Sequence, residues 1–130
     1  MAVNFPVPQS GAVKLQLSLT ASSTISKLDV IKLDSNTHCS RADFSSYANA
    51  TSIGIALNQA VAGNKVDILL FGVLDDPGLN FPLNDLLFLS SSSTITNIAT
   101  SVSGQFHVEV GKSLGAGSMF VSFTTPQEII

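Results

Sequence analysis

Leu28-Asp29-Val30-Ile31-Lys32-Leu33, then Ile53-Gly54-Ile55-Ala56-Leu57, then Val66-Asp67-Ile68-Leu69-Leu70-Phe71: the fold turns on this stretch, because the chain goes on to say it again. The second version is Asn84-Asp85-Leu86-Leu87-Phe88-Leu89, then Val110-Gly111-Lys112-Ser113-Leu114, then Met119-Phe120-Val121-Ser122-Phe123. Each version opens with an apolar run and continues through a stretch rich in Ser, Thr, Asn or Asp. The step from Leu33 to Gly54 is 21 positions and that from Leu89 to Gly111 is 22. An echo of this kind marks a fold assembled from two copies of one supersecondary unit. The units span about 24–74 and 82–123.

The runs themselves are strands. Val13 to Leu19 alternates without a break, with Val13, Leu15, Leu17 and Leu19 on one face and Lys14, Gln16 and Ser18 on the other. Period two predicts a half-buried antiparallel strand. Ser26 to Leu33 predicts the next strand, and Asp34-Ser35-Asn36-Thr37 a turn whose side chains bond their own backbone. His38 to Thr51 reads as a longer connection with room for a short strand. Ile53 to Leu57 is a short buried strand; Gly54 and Ala56 share a face that another backbone or side chain must crowd. Lys65 to Leu74 is apolar on both faces past Asp67, which predicts a central strand. Asp75-Asp76-Pro77-Gly78 is a tight turn. Asp85 to Ser90 and Thr94 to Ile98 are strands around a Ser91–Ser93 turn. Gln105 to Val110 alternates again, with Phe106, Val108 and Val110 inward. Gly115-Ala116-Gly117 turns the chain into a closing strand, Ser118 to Phe123. No segment sustains a helical period. The expectation is an all-β fold, a small β-barrel or β-sandwich built from two similar β units.

Around this domain (12–124) stand two end segments. Residues 1–11 carry Pro6 and Pro8, and proline at alternate positions favours an extended path, so they read as an N-terminal arm. Residues 125–130 form a tail containing Pro126, expected to be loose or docked on a neighbour.

A chain of 130 residues supports one domain with a real core. Only 12% of its residues are charged, about half the usual share. So thin a coat of charge points to apolar surface hidden against another subunit. The six Lys and Arg residues are scattered, which speaks against a surface that tracks nucleic-acid phosphates. No run of about 18 apolar residues exists to span a membrane. The N-terminus lacks the basic and apolar regions of a secretory signal, and the lone Cys39 cannot form an internal disulfide. Synthesis in a reducing cytoplasm fits both.

Chemistry-bearing residues do not assemble into a motif. His38-Cys39 and His107 are the soft metal ligands, without the spacing of a zinc site. His107 and Glu109 share a strand face, but no G-x-S-x-G elbow accompanies the many serines. Asp75-Asp76, with Asp67 and Asp85 near in sequence, lacks the calcium-loop pattern, and Pro77 follows the acids directly. Gly115-x-Gly117 precedes no helix and is no phosphate cradle. Asn49-Ala50-Thr51 is a glycosylation sequon by pattern alone. No catalytic residue, metal ligand or cofactor is therefore assigned, and no enzymatic activity is expected. Most aromatic rings read as core. Phe5 and Phe81 are the exceptions, since each sits against proline in an irregular segment; with Asn4, Pro6, Val7 and Pro8 they make a candidate interface.

Leu28 to Ser35, Arg41-Ala42-Asp43 and the run Ile53 to Ile68 resemble small β-rich structural proteins of tailed bacteriophages, the capsid decoration (cement) proteins and related tail-fibre modules. Leu83 to Leu89 and Val110 to Leu114 look like the second half of that pattern, so the resemblance covers about 24–123. Ser26-Lys27-Leu28-Asp29 departs from the Ala-Gly-Asp start usual in the family. The resemblance implies a compact β domain that trimerises on the outer capsid surface, in contact with the major capsid protein, and clamps adjacent capsomers in the virion. It also leaves open a tail-fibre or receptor-binding module. On this reading the arm, Ala2 to Gly11, pairs with a neighbouring subunit or with the capsid shell by strand addition.

Overall fold

A computed structural model of the protein describes residues 14–130. The expected arm, with Asn4, Phe5, Pro6, Val7 and Pro8, lies outside the described residues, as do Ala12 and Val13. Eleven strands and one short helix follow in order: β1(Lys14–Ala21), β2(Val30–Leu33), β3(His38–Arg41), α1(Tyr47–Ala50), β4(Ser52–Ala56), β5(Lys65–Asp75), β6(Leu86–Leu89), β7(Ile95–Thr96), β8(Phe106–His107), β9(Glu109–Gly115), β10(Ser118–Val121) and β11(Gln127–Glu128). The fold is all-β. The choice between sandwich and barrel is settled by the pairing. β1, β3, β2, β4 and β5 run edge to edge, and β5 returns to pair with β1, which closes a five-stranded barrel. From β5 the sheet continues outward through β10, β9, β6 and β7.

β5 holds the two parts together because it is long enough to serve both. Its first half pairs with β4 at Ile68 and Leu69, and its second half pairs with β10 from Gly72 to Asp75. Along its other edge it pairs with β1 from Lys65 to Gly72. Every residue of its middle therefore has strands on both sides; Ile68 and Leu69 are buried on opposite faces, and Leu70 is half-buried. The side chains alternate between two separate cores. Ile31, Ala56, Val66 and Ile68 point into the barrel with Leu19, Ala21, Ile25, Cys39 and Ala60. Their neighbours Val30, Ile55 and Leu69 point the other way, against Leu74, Leu87, Leu89, Val108, Val110, Met119 and Val121 of the outer strands. The wall β2–β4–β5 is thus buried on both faces. Each fully buried Ile or Leu in it contributes about 1.5–3 kcal/mol of transfer free energy.

The internal echo has a structural counterpart. The sheet order β3-β2-β4-β5-β10-β9-β6-β7 reads the same from either end, with β2-β4-β5 matched by β6-β9-β10 and β3 by β7. The matching extends to backbone detail. Leu28 and Asn84 both have φ near 73°, at the third position of turns closed by Asp29 N–H on Ser26 and Asp85 N–H on Pro82. A positive φ at that position defines a type II turn and is ordinarily filled by Gly or Asn. Leu28 occupies it because its side chain packs on the main core. Gly54 and Gly111 match as well. A Cβ on Gly54 would be driven into Ile68 and the carbonyl of Leu69, and one on Gly111 into the carbonyl of Phe120. In both units, then, glycine lets the middle strand approach the last one. Gly54 and Ala56 do share a crowded face, the barrel interior.

Four expectations need correction. Leu15 and Leu17 are exposed, and only Leu19 of the described alternating set is buried; β1 overhangs the barrel at that end, so period two did not translate into burial. Residues 26–29 are a turn, and the strand begins at Val30. The strand expected over Thr94 to Ile98 is only Ile95–Thr96. The tail is not loose: Gln127 and Glu128 pair with His107 and Phe106 of β8, and Pro126 is buried. The connection after β3 also holds a single helical turn, Tyr47–Ala50, capped by Ser46 Oγ accepting from Asn49 N–H.

Candidate functional site

Several carboxylates of the described chain meet internal partners. Asp29, almost fully buried, accepts from Ser26 N–H at 2.8 Å and from Arg41 Nε at 3.1 Å. Burial raises its pKa above the ordinary carboxylate value, outweighing the Ser26 hydrogen bond and the Arg41 charge, which both pull it down. Arg41 also donates to the carbonyl of Ser92 at 2.8 Å, and Val30 N–H donates to Ser93 at 2.7 Å. The pair thus ties the first unit to the β6–β7 turn. The sequence marks Asp29 and Arg41 as pattern residues but does not join them: Asp29 closes the turn before β2 and Arg41 ends β3, and only the β2–β3 register brings them together.

Asp76 accepts from Lys27 Nζ at 2.6 Å and from Gly78 N–H at 2.8 Å. The Lys27 hydrogen bond holds its carboxyl below the ordinary range. Asp75 accepts from Ser118 and Asp85 from Asn97. Asp75, Asp76 and Asp85 therefore go to separate partners, and the turn expected over Asp75-Asp76-Pro77-Gly78 lies one residue later, at Asp76-Pro77-Gly78-Leu79, closed by Leu79 N–H donating to the Asp76 carbonyl. Beside Asp29 opens a cleft of about 260 Å³ lined also by Lys27, Leu28, Gly78, Leu79, Phe81 and Ile95. Its walls are mainly apolar. Phe81 packs there, half-buried against the main core, so local packing claims most of its ring.

Cys39 is buried in the barrel, where desolvation first and the charge of Asp34 second push its thiol pKa up. His38 is exposed and bonded to Thr37 Oγ1 at 2.8 Å. His107 lies 4.0 Å from Glu109 and against the Phe88 ring, far in the sheet from any nucleophile with a base. Among the described residues no group of three or more His, Cys, Asp and Glu side chains could hold a metal ion. None of their helices is long and apolar enough to cross a membrane.

Part of the exposed apolar surface gathers on one sheet face. One face of β10–β9–β6 and the end of β5 covers the main core; the other looks outward. Val73, Phe120, Lys112 and Leu86 stand directly opposite one another across four strands, hence on one face. Phe71 meets Phe120 edge-to-face at 5.0 Å, and Leu15 of β1 stands opposite Phe71. Leu15, Phe71 and Leu86 are 58%, 42% and 47% exposed. A β-bulge makes this face continuous with β1: Leu15 pairs with Phe71 and Gln16 with Leu69, leaving Leu70 as the extra residue. The candidate site is this outward apolar face together with the overhanging strand β1. Sequence reasoning assigned these phenylalanines to the core, and only the position of β5 at the barrel rim reveals otherwise.

No protein-family model and no curated protein matches the chain. Among solved structures it is similar to "The crystal structure of head fiber gp8.5 N base in bacteriophage phi29", over 88% of this chain and 98% of that one, at 8% identity and a TM-score of 0.45.

Proposed function

We propose that this chain is a structural component of a phage virion, a decoration (cement) protein that binds its own kind and the major capsid protein on the outer surface of the head and reinforces contacts between capsomers. It works by adhesion and without catalysis. The observation that carries this reading is the contrast within the molecule. Most of its carboxylates meet internal partners, while its outward sheet face presents Phe71, Val73, Phe120 and Leu86. A contiguous apolar face on so small a domain is an interaction surface. The sequence resemblance over residues 24–123 supplies the class of particle.

Electron cryo-microscopy of the virus that encodes the chain tests the proposal. Density for the barrel on the outer head surface, repeated around capsomers, supports it. Virions without the chain, or with it only on the tail, count against the decoration role. Trimers are the expected assembly, and their melting temperature then rises with protein concentration.

A further inference from the structure

The two β units match residue by residue across their strands. Val30, Ile55 and Leu69 stand directly opposite one another on β2, β4 and β5. Leu86, Lys112 and Phe120 stand in the same register on β6, β9 and β10. The match is fixed at two points: Leu28 and Asn84 lie two residues before Val30 and Leu86, and Gly54 and Gly111 lie one residue before Ile55 and Lys112. In the first unit the row is wholly buried, because the second unit packs on it through Leu87, Val110, Met119 and Val121. A row at this place in the fold therefore takes another β-sheet face.

In the second unit the row looks outward. Leu86 and Lys112 are exposed and Phe120 is half-buried. A repeat that ends a stack ordinarily carries a polar outer face. Here Leu86 and Phe120 keep large apolar side chains, and Val73 of β5 extends the row beyond Phe120. Only Ile55 has a charged counterpart, Lys112. That charge restricts what can lie on the row. An aliphatic face like the one that covers the first unit would bury the ammonium unpaired, which is costly. The covering face must bring an aromatic ring or a carboxylate to Lys112.

The row itself meets that requirement. Val73, Phe120, Lys112 and Leu86 lie on neighbouring strands in that order. A second copy, turned over about an axis that runs along the strands between β10 and β9, presents the order reversed. Val73 then meets Leu86 and Phe120 meets Lys112, each of them twice. Apolar side chains face one another, and each ammonium lies against a phenyl ring, which attracts it. The strands of the two copies stay nearly aligned, as in packed sheets generally. One patch serves both copies, the condition for a closed two-fold contact.

We propose that the outward face of β5–β10–β9–β6 is a two-fold contact between copies of this chain, with Phe120 of each against Lys112 of the other. This rests on the self-association in the reading above and adds a pairing to the trimer expected there. Sedimentation of purified full-length variants, at a concentration where the parent pairs, tests it. Lys112→Glu sets a carboxylate against Phe120, and Phe120→Lys sets one ammonium against another, so each alone sediments at half the parent's mass. Mixed in equal amounts, the two regain it, since one contact then joins the two introduced charges and the other is the native pair. Leu86→Glu with Val73→Lys repeats the exchange at the outer positions and keeps the test decisive should Phe120→Lys not fold. Variants that keep the parent's mass overturn the proposal and leave self-association itself intact; so does a mixture that stays at half the mass. A full chain that is monomeric at every concentration, as when its own residues 1–13 occupy the face, overturns both.

Discussion

Gly54 is where the barrel is least able to accept an atom. The middle of the wall is closed by only two residue pairs between β4 and β5, Ile55 with Leu69 and Ala56 with Ile68. A Cβ built on Gly54 lies 2.5 Å from the carbonyl oxygen of Leu69 and 3.1 Å from its carbon, besides meeting Ile68. An ordinary carbon–oxygen contact is about 3.3 Å, so Gly54→Ala forces the strands apart by about 0.8 Å at a point of backbone, not of a flexible side-chain end. Overpacking of this kind costs about 1–3 kcal/mol. One or two stretched ladder hydrogen bonds add about 1 kcal/mol each. Alanine returns about 0.4–1 kcal/mol by restricting the unfolded chain. The net loss is about 3 kcal/mol, or about 10 °C in melting temperature for a domain of this size. Gly63→Ala is the control. Gly63 has φ near 90° but nothing within 4 Å of its Cβ position, so it should cost only the left-handed backbone penalty, about 1 kcal/mol. Because Gly111 holds the equivalent place in the second unit, Gly111→Ala should resemble Gly54→Ala. Urea and thermal unfolding followed by circular dichroism measure all three. A melt of Gly54→Ala within about 2 °C of the parent, or equal to that of Gly63→Ala, refutes the close-approach reasoning.

Three further outcomes are expected. Arg41→Met leaves Asp29 buried with only the Ser26 N–H; since Arg41 is 44% exposed, the loss at neutral pH should be nearer about 1–2 kcal/mol than the larger cost of breaking a fully buried pair. Asp29 then has a folded pKa further above its unfolded value. Stability falls as pH rises through that window, so urea midpoints of variant and parent should converge on acidification. Lys27→Met should also approach the parent on acidification, but because the parent loses stability there. Asp76, held below its ordinary value by Lys27, contributes stability above that value which is lost as pH falls through the folded one. The variant should therefore differ from the parent at neutral pH and lose less on acidification, as read by melting temperature from pH 6 to pH 2. Cys39, wholly buried in the barrel, should not react with a thiol reagent in the folded protein and should react once per chain in urea; labelling of native protein at the denatured rate would refute its placement.

Much of the fold was legible because strands announce themselves by local pattern. Lys65 to Leu74 reads as central for the reason it is central: Ile68 and Leu69 point to opposite faces and both are buried. Gly54 reads as crowded because a small residue in a buried strand has no other use. The duplication was visible in the Gly54/Gly111 and Leu33/Leu89 spacing, although Leu28 and Asn84 share a backbone conformation that their side chains do not advertise. What stayed hidden depends on where a strand ends relative to its neighbours. Leu15 and Leu17 alternate as faithfully as Leu19, yet β3 stops at Thr20 and Ala21, and the two leucines are left beyond the rim. Phe71 looks like the continuation of a core strand, but the bulge at Leu70 turns it onto the outward face. The Asp29–Arg41 pair was hidden because it forms across strands whose register no single run of residues contains.

The low charge of the chain has two sources, and separating them changes what it implies. Part is internal architecture. A closed barrel with a second sheet packed on its wall makes β2, β4 and β5 apolar on both faces, so a small domain carries two cores and has few positions to spend on charge. That share says nothing about partners. The remainder is on the outside. Some of it is scattered, as at Val61, Leu83 and Ile98, and some of it is gathered: Leu15, Phe71, Val73, Phe120 and Leu86 lie together around one lysine, next to β1. Composition alone could not divide the apolar residues between these two uses. The division matters because only the outer set is free to bind. Charge placed at Phe71 or Leu86 should leave the barrel folded and disturb assembly, whereas the same change at Ile68 or Leu69 should unfold the chain before any partner is met.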